Sequence, residues 1–150
     1  MKFLKKMLFV AAAVLMISAC NKETASEKIE GSYACYSSAS CAYFQDMIGE
    51  GDTVTIVAQE ENADITVKST TWGTASFSGL TVTEEGDNAI LSGNGTIAMP
   101  GMDGTVSNYD ATVKGTVALD KSTMELTATL PSVMGGMTIV FKNGTAPASK

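Results

Sequence analysis

The strongest constraint on this chain is an alternation of apolar and polar residues with a period of two, which runs through almost all of the sequence after residue 50. In one segment Ala111, Val113 and Val117 fall on one face, while Thr112 and Lys114 fall on the other. This is the side-chain spacing of a β-strand, and valine and threonine suit a half-buried sheet. The pattern predicts an all-β chain of about eight strands, at residues 30–37, 52–58, 63–69, 73–84, 88–98, 106–119, 123–130 and 136–143.

Short turn segments separate these strands, for example at Glu60–Asn62 and Glu85–Asn88. Connections this short join antiparallel neighbours. Gly79 interrupts one alternating run, and a glycine inside a long strand indicates a bulge or bend that curls a sheet. Closing the sheet also removes its exposed edges. We therefore expect one domain over residues 29–144, an eight-stranded antiparallel up-and-down barrel, with a two-sheet sandwich as the alternative.

Residues 42–48 depart from the alternation. Tyr43, Phe44, Met47 and Ile48 have the spacing of one face of a helix. The segment therefore forms either a short helix over one end of the barrel or an irregular apolar loop. Residues 145–150 have the composition of a flexible terminal tail.

The first twenty residues have the pattern of an export signal. The start of the chain is positively charged, with lysines at Lys2, Lys5 and Lys6. The apolar run that follows, over 7–17, is shorter than the roughly 20 residues needed to span a bilayer. The run ends in Ile17-Ser18-Ala19-Cys20, which resembles the bacterial lipobox. We predict a cleaved lipoprotein signal peptide over 1–19, a lipid on Cys20 and a polar tether over 20–28; the alternative is an ordinary signal peptide.

Anchoring through Cys20 makes the membrane the first expected partner. Residue 21 is asparagine rather than the aspartate typical of retention at the inner membrane, so the outer membrane is favoured, with the periplasmic or surface face left open. Stable anchoring takes two or more acyl chains, which a lipoprotein cysteine carries.

Composition excludes several classes of function. Without residues 1–19, seven lysines face sixteen acidic residues, a formal charge of −9, and the chain has neither arginine nor histidine. Binding to nucleic acid needs a basic face, and most general-base or metal chemistry uses histidine. We therefore expect no enzyme activity, no cofactor, no metal site and no nucleic-acid partner, with a carboxylate-pair hydrolase as a remote alternative.

Two cysteines remain beside Cys20. Cys35 and Cys41 form an even pair in an exported, oxidising setting, which predicts a disulfide; free buried thiols are the alternative.

A family resemblance rests on the predicted signal peptide and on three motifs further along the chain. These are Gly31-Ser32-Tyr33, Trp72 with Phe77-Ser78-Gly79-Leu80, and Val133–Met137. With these motifs the chain resembles the calycin-like lipoproteins of Bacteroides and its relatives, over roughly residues 29–143. The resemblance implies an eight-stranded barrel and, more weakly, a site for a small molecule.

Two functions fit these expectations. The first is a lipid-anchored envelope protein that holds a small apolar molecule in the barrel, and the second is a solid barrel that binds an envelope protein through its surface. Methionines in two loops share one rim in the first interpretation and fill a dry core end in the second. The candidate ligand or interface residues are Tyr43, Phe44, Trp72, Phe77, Met99, Met102, Tyr109, Met134, Met137 and Phe141.

Overall fold

Eight antiparallel strands close into a barrel, and one short helix precedes them, over the residues that the computed structural model describes, 24–146. The helix α1 covers Ala25–Ile29. The strands are β1 (Gly31–Ser40), β2 (Met47–Gln59), β3 (Asn62–Ser69), β4 (Gly73–Glu85), β5 (Asn88–Pro100), β6 (Val106–Ala118), β7 (Met124–Leu130) and β8 (Met137–Asn143). The predicted signal peptide, Cys20 and residues 147–150 of the predicted tail lie outside the described residues.

The apolar side chains of the predicted alternation fill the barrel interior. On β2 and β3, Val54 pairs with Val67 and Ile56 pairs with Ile65, and all four side chains are buried. Every strand contributes inward side chains to one apolar cluster, whose largest members include Phe77, Leu80, Leu91, Ile97, Met124, Leu126, Met137, Ile139 and Phe141. The interior of the barrel is therefore a packed core.

Closure is made by β1 and β8. Ala39 pairs with Ile139 and Ser37 pairs with Phe141, so the first strand has a neighbour on each side. The closed barrel confirms the predicted architecture, and the sandwich alternative is wrong. No helix within residues 24–146 has the length and hydropathy that crossing a bilayer requires.

The predicted irregularity in β4 lies at Gly79. The register between β4 and β5 shifts between Phe77 and Thr81, and Gly79 has a φ of +64°, in the left-handed region that favours glycine. This bulge bends a thirteen-residue strand so that it follows the barrel wall.

The helix predicted as one alternative for residues 42–48 does not form. β1 extends to Ser40 and β2 begins at Met47, so Met47 and Ile48 enter the ladder opposite Ala39 and Ser38. Only residues 41–46 remain as an irregular loop, closed by a hydrogen bond from the Cys41 amide to the Phe44 carbonyl at 2.9 Å. Long-range strand pairing overrides the local helical spacing.

A helix does cover one end of the barrel, but it is built from the segment predicted as a tether. Thr24 caps α1 in a capping box with Glu27, which satisfies two amide groups at the helix start. Ser26 is buried and donates a hydrogen bond to the Glu60 carbonyl at 2.7 Å, and Ile29 is fully buried in the core. Residues 24–28 are therefore part of the domain, and the prediction of a tether over them is wrong.

The predicted disulfide is also wrong, because Cys35 and Cys41 are both free. β1 is extended through Ser40, so six residues at about 3.3 Å per residue hold the two cysteines roughly 20 Å apart. A disulfide requires α-carbons within about 7 Å.

Candidate functional site

The barrel end opposite α1 carries four loops, over residues 41–46, 70–72, 101–105 and 131–136. A cavity of about 140 Å³, here called the rim pocket, opens at this end between the loops over 70–72 and 131–136 and the end of β5. Its lining is apolar apart from one threonine and consists of Thr71, Trp72, Met99, Pro100, Val133, Met134 and Met137.

Trp72 is held in the rim pocket by two hydrogen bonds and one ring contact. Its indole Nε1–H donates a hydrogen bond to Ser37 Oγ at 2.9 Å, and its ring stacks on Phe44 with centroids 6.3 Å apart. Its backbone amide donates to Ser69 Oγ at 2.9 Å, which holds the turn before β4. Trp72 is also the only tryptophan of the chain, so its fluorescence reports on this pocket alone.

Three of the four methionines singled out from the sequence meet in the rim pocket. Met137 is buried in the core beneath it, Met99 is partly buried, and Met134 is 50 % exposed at the mouth. Met134 Sδ lies 3.9 Å from Cys41 Sγ, which joins the loop over 131–136 to the loop over 41–46. Met102 is fully exposed and does not line the pocket.

The other candidate residues have different surroundings. Phe77 and Phe141 belong to the packed core, and neither lines the rim pocket. Tyr109 is partly buried against that core, whereas Tyr43 is 76 % exposed beside Phe44.

Exposed apolar side chains concentrate at the same end of the barrel. Of the seven large apolar side chains that are exposed within residues 24–146, all but Val57 lie at or beside these loops: Tyr43, Met47, Ile48, Met102, Val106 and Met134. The end of the barrel that carries the rim pocket therefore exposes the most apolar surface, in contrast with the end that α1 covers.

A second cavity, of about 380 Å³, is a groove on the outer face of β5, β6 and β7. It lies over Gly115 and is lined by outward polar side chains such as Lys114, Thr116 and Glu125. Within residues 24–146 no group of three or more histidine, cysteine, aspartate or glutamate side chains is placed to hold a metal ion.

Three polar residues lie inside the barrel, one of which, Ser37, accepts the hydrogen bond of Trp72, and no sequence motif marks them as a site. Cys35 and Asp52 face each other across β1 and β2, and Ser37 is the next inward residue on β1; all three are buried. Both carboxylate oxygens of Asp52 lack a hydrogen-bond partner among the described residues. The sequence does indicate that Asp52 faces inward. Asp52 lies two and four residues before Val54 and Ile56, and side chains at this spacing on a strand point to the same face.

Cys35 is buried in surroundings that favour its neutral thiol form. Burial in the apolar interior, with the nearby Asp52 charge as a second cause, raises the pKa of the Cys35 thiol to about 12. The thiolate is the nucleophilic form of cysteine, and this raised pKa keeps Cys35 a neutral thiol at neutral pH.

Comparison with known proteins agrees with this architecture. The family model described as calycin-like beta-barrel domain matches residues 29–144. A 2.40 Å crystal structure of a "putative outer membrane protein" from Bacteroides fragilis superposes with a TM-score of 0.72 at 31% sequence identity. The match covers 83% of this chain but only 48% of that one, so the chain spans about half the length of that relative. Comparison with curated proteins gives no match.

Proposed function

The chain belongs to the calycin-like β-barrel family, and from that membership we propose that it is a lipid-anchored, non-enzymatic envelope protein that binds a small apolar molecule. The observation that carries the proposal is the rim pocket, an apolar cavity at the end of an otherwise filled barrel. The ligand site is therefore the end of the barrel and not its centre.

The size of the rim pocket limits what it holds. Pockets for drug-sized ligands measure about 300–1,000 Å³, whereas a dry cavity of about 150 Å³ accommodates a molecule such as benzene. At about 140 Å³ the rim pocket suits a single ring, a short branched chain or one end of a larger molecule. Methionine side chains adapt to varied apolar shapes, which fits a wall built from Met99, Met134 and Met137.

Lipid anchoring at Cys20 gives this pocket an orientation. Cys20 precedes the helix cap Thr24 by four residues, so the chain between them reaches at most about 15 Å. An anchor there holds the α1 end near the bilayer and turns the rim pocket away from it. The lipobox-like Ile17–Cys20 and the relative named as an outer membrane protein support an envelope location.

The anchor is tested by replacing Cys20 with serine. We expect the wild-type chain in the membrane fraction of its host and the Cys20→Ser chain in the soluble fraction, because the acyl chains supply the attachment. Cys41→Ser, at a cysteine inside the described barrel, is the matched control and should remain with the membrane. Retention of the Cys20→Ser chain at the membrane contradicts the anchor.

Ligand binding is tested with toluene as the probe and Trp72 emission as the signal. We expect a saturable change in the wild-type chain and at least a roughly tenfold loss of affinity in Val133→Phe, because the added ring fills the pocket. Val106→Phe, at an exposed position of the same barrel end, is the control and should bind toluene as the wild type does. Circular dichroism checks that each variant is folded.

Two results contradict binding in the pocket. One is the absence of any saturable change in the wild-type chain. The other is equal toluene affinity in folded Val133→Phe and in the wild type.

A protein partner is the second candidate for the same end of the barrel. The six exposed apolar side chains around the rim, Tyr43 and Met102 most of all, favour this alternative. Exposed apolar patches on soluble domains commonly mark interaction sites. The failure of the toluene test would make this the leading function.

A further inference from the structure

Closure of the barrel leaves one stretch of strand edge without a neighbour. β6 pairs with β5 along its whole length, from Val106 to Ala118, but its ladder with β7 covers only Thr112–Val117. Residues 106–110 therefore extend beyond β7, and the side of them that faces away from β5 is here called the free edge. Outside the strand ladders, no backbone hydrogen bond among the described residues joins this stretch to another segment.

The sequence after β7 explains why the ladder with β6 stops. Leu130 is the last residue of β7, and Pro131 follows it without an amide hydrogen that could donate to β6. The chain then turns, with a hydrogen bond from the Val133 amide to the Leu130 carbonyl at 3.3 Å. The loop over 131–136 therefore adds no hydrogen-bonded strand beside the free edge.

The free edge lacks the features that usually keep a strand edge from pairing. Val106 is 60 % exposed, and Ser107, Asn108 and Asp110 are exposed as well. Native edges are commonly protected by lysine, proline or a bulge, and none of these occurs in residues 106–110, whose only charge is Asp110. At about 3.4 Å per residue this stretch is roughly 17 Å long, which matches a short extended peptide.

The backbone of the free edge sets the chemistry of its partner. Alternate residues of a strand direct both their amide and their carbonyl toward the same edge. A partner must therefore present donors and acceptors in the same order and at the same spacing, which another extended polypeptide does and a compact small molecule does not. The free edge therefore suits an added β-strand.

Charge narrows the partner further. The segments that form this end of the barrel, over 41–51, 70–72, 99–111 and 131–137, contain four exposed acids and no lysine: Asp46, Glu50, Asp103 and Asp110. A second copy of the chain would bring two such acidic ends together, and they would repel each other. A different polypeptide with a lysine or arginine opposite Asp110 and an aliphatic residue opposite Val106 makes favourable cross-strand pairs.

We propose that the free edge of β6 binds an extended, basic segment of another protein as an added antiparallel strand. Val106, Asn108 and Asp110 share the outward face of β6, so the basic and aliphatic residues of the partner lie on its outward face too. Antiparallel pairing places the basic residue four positions before the aliphatic one. This site is separate from the rim pocket and does not depend on a ligand there.

The test uses a fluorescently labelled peptide, acetyl-Lys-Ile-Thr-Val-Val-amide, with its lysine opposite Asp110 and its last valine opposite Val106. Two matched peptides keep every side chain but carry N-methyl groups, one on its second and fourth residues and the other on its third and fifth. Each pair of methyl groups removes the donors from one edge of the peptide. We expect the parent and one methylated peptide to bind, and the other to lose at least roughly tenfold in affinity.

Variants of the full chain locate the binding site. Asp110→Lys should weaken binding of the parent peptide at least roughly fivefold, because an attractive cross-strand pair becomes repulsive. Asp87→Lys makes the same change in net charge at an exposed acid between β4 and β5, at the α1 end, and should bind as the wild type does. Circular dichroism checks that both variants fold. In the wild type the peptide should slow hydrogen–deuterium exchange at residues 106–110.

Several results overturn this inference. They are no binding of the parent peptide, equal binding of the two methylated peptides, unchanged affinity in Asp110→Lys, and unchanged exchange at residues 106–110. A wild-type dimer in light scattering that becomes monomeric in Val106→Lys assigns the free edge to a second copy instead. Toluene binding is titrated separately through Trp72, so the rim pocket and the free edge can fail independently.

Discussion

Replacing Phe77 with alanine lowers the free energy of unfolding by about 4 kcal/mol. Phe77 is 2 % exposed and lies between Ile65 on β3 and Gly95 on β5. The loss combines the transfer of a ring into water with the cavity that remains, and Gly95 has no side chain that could move into that cavity. Urea unfolding followed by far-ultraviolet circular dichroism measures the change.

Phe77→Leu is the matched control for this prediction. It keeps most of the buried apolar volume and should cost about 1 kcal/mol. If Phe77→Ala costs no more than Phe77→Leu, the ring is not confined by its neighbours, and the packed interior described above is contradicted.

Replacing Gly73 with alanine has a comparable effect, a loss of more than about 3 kcal/mol or failure to fold. Gly73 begins β4 with a backbone φ of +106°, which L-amino acids other than glycine rarely adopt. An added β-carbon would also lie 2.0 Å from the Ala98 carbonyl oxygen on β5, where backbone atoms cannot give way easily. Both the conformation and the close approach therefore demand glycine at this position.

Gly104→Ala separates the two causes. Gly104 has a φ of +87° but open space where its β-carbon would be, so only conformational strain applies and about 1 kcal/mol is expected. Thermal unfolding of the two variants, both at the pocket end of the barrel, gives the comparison. Equal losses would show that the contact with Ala98 contributes nothing.

The sequence was most informative where the alternation is long. From β3 to β8 the predicted strands agree with the structure to within two residues at each end, because every second residue there is committed to the core. The errors cluster between residues 24 and 52. Ser38 and Ser40 have no strong strand propensity, and their pairing with β8, about a hundred residues away, leaves no local trace.

The candidate site was predictable in part. Loops rich in methionine, together with Trp72, pointed to one end of the barrel, and Met99, Met134 and Met137 do meet there. Asp52 does not stand out as a site residue in the sequence, because an acid at the start of a strand resembles an ordinary turn residue. Its parity with Val54 and Ile56 does indicate an inward side chain, and the register opposite Cys35 together with its burial establishes this orientation.

The seam between β1 and β8 has a consequence for how this chain folds. Ala39 must find Ile139, one hundred residues further along, before either terminal strand has its second neighbour. Contacts of such long sequence separation carry a large loop-closure entropy and slow folding relative to helical proteins. A chain emerging from N- to C-terminus therefore leaves the unpaired edge of β1 open until its last strand arrives, and that interval is when it is most exposed to aggregation and proteolysis.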